Sequence, residues 1–146
     1  MGEKLKFFLI FGLLILISGL VVFGYFKATP GAANGGTAGP KIEILPAIFD
    51  FGDIKYGQIV EYDFQVKNSG KEILEIKRVA TSCSCTTAKV DKEKIGPGET
   101  ANLHIRYDSG AMGSLHGKGR QERIIYVKSN DPNNPQTESM IYANVN

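Results

Sequence analysis

The only two cysteines in this chain of 146 residues stand two apart as Cys83-Ser84-Cys85, inside a frame of hydroxyls, Thr81-Ser82 before and Thr86-Thr87 after. Residues i and i+2 of a strand share a face, with Cα atoms near the upper limit for a disulfide, so a bridge here needs a local bend. As a staple it is weak: closing about three residues contributes about 1.6 kcal/mol by loop entropy, against about 3 kcal/mol for fifteen. Such a bridge suits exchange with a partner's thiol, one sulfur attacking and the other resolving. Alternatively, two soft thiolates can hold Cu(I), with Met112 or His116 completing the site if their loop folds toward the pair. The plainer readings are two small buried thiols beside a turn, or a modest structural bridge closed after export. Zinc fits less well, because a structural site wants four ligands and only His104 and His116 could join. His104 lies on the polar parity of its strand, and the spacing ties neither Arg78 nor Lys89 to the thiols. The candidate residues are therefore Cys83, Cys85, Met112 and His116, for metal or redox chemistry, with no resident cofactor called for.

Other catalytic patterns are missing. The acidic residues are scattered over strand faces and turns without a paired-carboxylate motif, and no Ser-His-Asp arrangement follows from isolated residues. Gly110, Gly113, Gly117 and Gly119 do not form a phosphate loop, since no helix opening with Lys-Ser/Thr follows them. No enzymatic activity is expected beyond thiol–disulfide exchange.

What positions the pair is a β domain. Val60, Tyr62, Phe64 and Val66 alternate with Glu61, Asp63, Gln65 and Lys67, which places one apolar face on a half-buried strand. Leu74 and Ile76 repeat the arrangement against Glu75 and Lys77, as do Ala101, Leu103, Ile105 and Tyr107 against Asn102, His104 and Arg106, and a further run spans Arg123 to Lys128. Turn residues separate the runs: Asn68-Ser69-Gly70, Gly96-Pro97-Gly98, Ser109-Gly110 and Asn130-Asp131-Pro132. Nothing after residue 40 sustains a helical period. Short strands at this spacing predict an all-β, immunoglobulin-like antiparallel β-sandwich over residues 41–146.

Ahead of it, Phe7 through Phe26 is uncharged and reads as one transmembrane helix of about 30 Å. A cleaved signal peptide is the competing reading, but its apolar region should run only about 7–15 residues, and the length favours an uncleaved anchor. Lys4 and Lys6 precede the span, which puts residues 1–6 in the cytoplasm and the bulk of the chain outside, periplasmic or on the cell surface. Residues 27–40 are mostly small and read as a flexible linker reaching roughly 20 Å. Three of the seventeen Lys/Arg (Lys4, Lys6, Lys27) and one of the fifteen acidic residues (Glu3) precede residue 41, leaving fourteen of each sign beyond it. A neutral domain without a basic stripe argues against nucleic acid as a partner. The expected partners are the membrane, through residues 7–26, and an envelope protein.

An ordered set of short motifs then becomes specific: Phe49-Asp50-Phe51-Gly52-Asp53-Ile54 with Gly57, Val66-Lys67-Asn68-Ser69-Gly70, Leu74-Glu75-Ile76, Ser82-Cys83-Ser84-Cys85-Thr86, Ile95-Gly96-Pro97-Gly98-Glu99, and Val127-Lys128-Ser129-Asn130-Asp131-Pro132. Together they resemble the DUF1573 family, exported bacterial domains related in pattern to the ASH and major-sperm-protein type of immunoglobulin-like fold. The resemblance covers residues 41–146. It implies a bacterial envelope protein with a seven-stranded or similar sandwich, and no established activity. The connection from Ser109 to Arg120, with Met112 and His116, is longer than the family pattern leads one to expect, so the resemblance assigns those two residues no role.

Overall fold

The computed structural model describes Gly2 and residues 39–146. The expected span at 7–26, and all but the last two residues of the linker at 27–40, lie outside the described residues. Among the described residues no helix is long and apolar enough to cross a membrane.

The described chain forms nine strands: β1 (Ile42–Leu45), β2 (Ile48–Ile54), β3 (Ile59–Asn68), β4 (Leu74–Thr81), β5 (Thr86–Val90), β6 (Lys94–Ile95), β7 (Thr100–Asp108), β8 (Gly119–Ser129) and β9 (Gln136–Val145). One four-residue helical turn, α1 (Ser114–Gly117), precedes β8. The strands lie in two sheets, β1-β3-β7-β5 and β2-β9-β8-β4-β6. The first is antiparallel throughout. The second is mixed, because β2 runs parallel to β9, which corrects the expectation of a wholly antiparallel sandwich. The cause is topological: β1 and β2 are separated only by Pro46 and Ala47, yet they join opposite sheets, and β2 reaches β9 from across the domain. The count also exceeds the seven or so implied by the resemblance.

Period-two burial is what holds the layers together. In β3 the inward set reads Phe64 and Val66 fully buried, with Val60 and Tyr62 half-buried at the sandwich rim. Ala101, Leu103, Ile105 and Tyr107 of β7 are buried in the same way. Facing them are Leu74 and Ile76 of β4, Ile125 and Val127 of β8, and Ile141, Ala143 and Val145 of β9. Each large apolar side chain removed from water here stabilises the fold by about 1.5–3 kcal/mol. In β4 the alternation breaks after Ile76, where a bulge against β8 leaves Lys77 and Arg78 both exposed.

Aromatic rings close one side. Phe49 of β2 stacks on Tyr62 of β3 with centroids 3.6 Å apart, and Phe51 and Phe64 meet these rings edge-on. The register of β2 against β9 shifts between Asp50 and Asp53. Gly52 makes that bulge with φ +68°, a conformation L side chains resist, while its N–H donates to Asp50 Oδ1 at 2.8 Å.

The two ends of the sandwich differ. The chain arrives through residues 39–41, where Lys71 N–H donates to the Gly39 carbonyl and Ser69 N–H to the Lys41 carbonyl. At this end Asn68 is fully buried: its Nδ2 donates to the Glu72 and Ile95 carbonyls, and its Oδ1 accepts from the Lys41 and Gly70 N–H groups. The opposite end collects the β4–β5 turn, the end of β7 and the start of β8, and it is there that the cysteines lie.

Candidate functional site

Cys83 and Cys85 occupy the turn between β4 and β5 and are joined by a disulfide, their Cα atoms 5.3 Å apart. The bend required for closure is the turn itself, so the pair is not the strand-like i, i+2 couple that alternation suggested. Several bonds hold the turn. Thr81 Oγ1 reaches the Cys83 and Thr86 carbonyl oxygens at 3.0 and 2.8 Å, Cys85 N–H points at Cys83 Sγ at 3.1 Å, and Asp108 N–H donates to the Cys85 carbonyl at 2.9 Å. On the other side, Ser82 N–H donates to the Ile124 carbonyl and Ser82 Oγ accepts the Ile124 N–H at 3.0 Å. The frame of hydroxyls thus has a mechanical role: it ties the turn to β8 and to itself.

The two sulfurs are in different surroundings. Cys85 is 3% exposed and belongs to the core, whereas Cys83 is half-buried between the exposed residues Ser82 and Ser84. Thr86 Oγ1 lies 3.9 Å from the Cys83 sulfur and 3.7 Å from the Cys85 sulfur.

The residue that sequence reasoning missed is Arg123. Its Nε donates to Cys85 Sγ at 2.9 Å, its Nη1 to the Glu122 carbonyl at 2.7 Å, and its Nη2 to Gln121 Oε1 at 2.6 Å. Its guanidinium carbon stands 5.4 Å from the centroid of Tyr107, close enough for a cation–π contact. Burial pushes the Tyr107 phenol above its ordinary 10.0, with Arg123 pulling the other way and Asp108 reinforcing the rise. Among the described residues no carboxylate lies within ion-pair distance of Arg123. A signal for it existed: Gln121, Arg123, Ile125, Val127 and Ser129 share one parity of β8, and that parity faces inward. A charge on the core side of a strand has to meet partners, and here they are the Cys85 sulfur, the Glu122 carbonyl and Gln121 Oε1.

Met112 and His116 lie in the Ser109–Lys118 segment, both exposed, with His116 on α1. The anchors of that segment run to the β2–β3 turn. Ser109 Oγ donates to the Lys55 and Gln58 carbonyls at 3.1 and 2.9 Å, and Lys118 lies over the Tyr56 ring. Gly117 sits so close that a Cβ would come within 2.7 Å of the Ser109 carbonyl oxygen. None of these contacts brings Met112 or His116 to the cysteines, and among the described residues no three of His, Cys, Asp and Glu are grouped to hold a metal. His104 is on the solvent side of β7, its Nδ1 2.6 Å from Asp63 Oδ1.

Fold and turn together define a two-sheet β-sandwich domain carrying a short disulfide loop at one end. Residues 42–145 match the family profile of DUF1573, a protein of unknown function, and the chain belongs to that family. No curated protein matches it. Among solved structures, a protein of unknown function from Porphyromonas gingivalis W83 is similar with a TM-score of 0.66 and 23% identity, over 79% of this chain and 51% of that one. The chain therefore spans about half the length of that relative. The ASH/PapD-like domain 7 of human CEP192 matches with a TM-score of 0.54 at 10% identity, over 82% of this chain and 92% of that domain. The YadV chaperone matches with a TM-score of 0.54 at 15% identity, over 72% and 52%. At these identities the likeness is one of fold.

Proposed function

We propose that this is an immunoglobulin-like protein-contact module of the bacterial envelope, tethered by residues 7–26 with its sandwich outside the cytoplasm, and that a partner docks an extended segment along the free edge of β5. The observation that carries the contact is the state of that edge. Asp108 N–H bonds the Cys85 carbonyl and Asp91 N–H bonds the Asn102 carbonyl. The alternation of an antiparallel ladder then turns the amide and carbonyl of Ala88 and Val90 away from β7, onto the open side.

Beside this edge runs a cleft of about 170 Å³ lined by residues of β4 and β5, the buried or half-buried Ile76, Val79, Ala88 and Val90 and the exposed Lys77, Arg78 and Lys89, against a single acid, Glu93. Backbone pairing supplies affinity in strand addition and side-chain pockets supply selection. The cationic surround favours an acidic segment, while Lys89 discourages pairing with a second copy. The fold likeness to a protein named as a chaperone supports a reading in which the sandwich works by holding another chain.

The test is a photo-crosslinking amino acid at Ala88 in cells, with Gln65 on the exposed face of β3 as the control. A defined adduct at Ala88 that disappears in Ala88→Pro supports docking on this edge; equal labelling at both positions, or persistence in the proline variant, overturns it. Protease added to spheroplasts tests the topology separately, since only an outward sandwich is digested.

A further inference from the structure

We infer that the Cys83–Cys85 bond is a thiol–disulfide exchange centre with a fixed polarity, in which Cys83 is the sulfur attacked, Cys85 is the sulfur that leaves, and Arg123 receives the leaving thiolate. This goes beyond docking at β5 and rests on different atoms. Three observations converge. Cys83 is the less buried of the pair, half-buried between the exposed residues Ser82 and Ser84, while Cys85 is 3% exposed. Arg123 directs its Nε at Cys85 from 2.9 Å. Among the described residues no carboxylate is in ion-pair range of that guanidinium, and its other acceptors, the Glu122 carbonyl and Gln121 Oε1, are neutral. A hydrogen bond from a guanidinium to a neutral disulfide sulfur is modest, and the same bond to a thiolate is charge-assisted and stronger. The bond from Arg123 therefore stabilises the thiolate that leaves from Cys85, and with it the reduced state.

The substrate class is a protein carrying two neighbouring thiols. One of its thiolates attacks Cys83 Sγ; a new S–S bond forms to Cys83 as the Cys83–Cys85 bond breaks, and the bonding pair passes to Cys85 Sγ beside Arg123. The partner's second thiolate then attacks the partner's own sulfur in the mixed disulfide. It closes the partner's disulfide and expels the Cys83 thiolate, which takes a proton from water. Two electrons pass from the partner's dithiol to the cysteine pair. Thr86 Oγ1, 3.7–3.9 Å from both sulfurs, is placed to donate to whichever is anionic.

The experiment uses the full chain in detergent micelles, oxidised, with reduced glutathione as the probe, acid quenching, and peptide mass mapping of the mixed disulfide. The expected adduct is on Cys83 alone. Reduction should slow about tenfold in Arg123→Gln, with Arg123→Lys between it and the parent, as the leaving thiolate loses its cation. In a glutathione redox buffer Arg123→Gln should also rest more oxidised than the parent. Should Arg123→Gln fail to fold, adduct mapping on the unmodified chain still decides. An adduct on Cys85, reduction that occurs only after denaturation, or an unchanged rate in a folded Arg123→Gln would each overturn the assignment. Ala88→Pro leaves these atoms in place, so its exchange rate separates failure here from failure of the docking edge.

Discussion

The carboxylate of Asp131 accepts the backbone N–H of Ile42 at 3.0 Å, joining the β8–β9 turn to the first strand across 89 residues of sequence. The same side chain accepts the N–H groups of Asn133 and Asn134 at 2.8 and 3.1 Å and is 1% exposed. Burial opposes its charge, but the three backbone donors outweigh burial and hold its pKa below 3.8. A carboxylate depressed in the folded state stabilises the protein above its unfolded pKa, and the contribution is lost as the pH falls through the lower, folded value. Denaturant unfolding at a series of pH values should therefore show stability falling as the pH drops below 3.8, with a shallower fall in Asp131→Asn. At neutral pH that variant should be less stable by about 1.5–3 kcal/mol, the scale of hydrogen bonds to a charged group.

Asn68 is the second polar anchor at this end. Its four side-chain bonds join the chain before β1, the β3–β4 turn and β6. Asn68→Ala leaves two carbonyls and two N–H groups without their partner in a fully buried site, and each such loss costs about 1–3 kcal/mol before relaxation. The expected result is a drop of at least about 2 kcal/mol in urea unfolding at unchanged m-value. A loss below about 0.5 kcal/mol, the range of ordinary surface changes, would mean that water replaces all four bonds.

Parity in β3 gives a paired test. Phe64 is 0% exposed, whereas its neighbour Gln65 faces solvent. Phe64→Ala should cost about 3–5 kcal/mol and Gln65→Ala less than about 0.5 kcal/mol. Phe64→Asp should abolish the cooperative thermal transition. A near-parent melt for Phe64→Asp would show the inward face to be assigned the wrong way.

The disulfide should matter little to stability. A bridge around three residues contributes at most about 1.6 kcal/mol by chain entropy. Unfolding of the oxidised and reduced protein, compared in urea, should differ by no more than that. A gap of 4 kcal/mol or so would make the bond a structural staple.

Tyr107 Oη is buried with no hydrogen-bond partner among the described residues, although its ring carries Arg123. Tyr107→Phe should therefore keep or raise the melting temperature and leave the glutathione exchange rate within about twofold, since the ring face persists. A large fall in that rate would assign the hydroxyl a part in the chemistry.

Alternation made β3 and β7 legible in the sequence, because one face of each is buried and the other wet. It did not reveal β2 or β9. The burial of β2 is irregular around the Gly52 bulge, and its parallel partner lies about ninety residues away, beyond any local pattern. Asn68 and Asp131 stand in stretches of turn composition, yet they are also keystones, since side-chain bonds across long sequence distances leave no periodic trace. At the cysteines the pair itself was visible. Arg123 was hidden in plain alternation: it opens the run to Lys128, and only its placement on the same parity as Ile125 and Val127 marks it as inward. Met112 and His116 stand out by residue type, while their segment is anchored to the β2–β3 turn.

The chain enters the sandwich beside Asn68, and Cys83 lies past the far end of β7, a strand of nine residues or roughly 30 Å. The sandwich thus sets its point of entry and its disulfide at opposite ends. If residues 7–26 anchor the chain as proposed, the length of the stretch before residue 39 would set how far the sulfur stands from the membrane without altering one atom around it, and height would be adjustable separately from the chemistry of the bond.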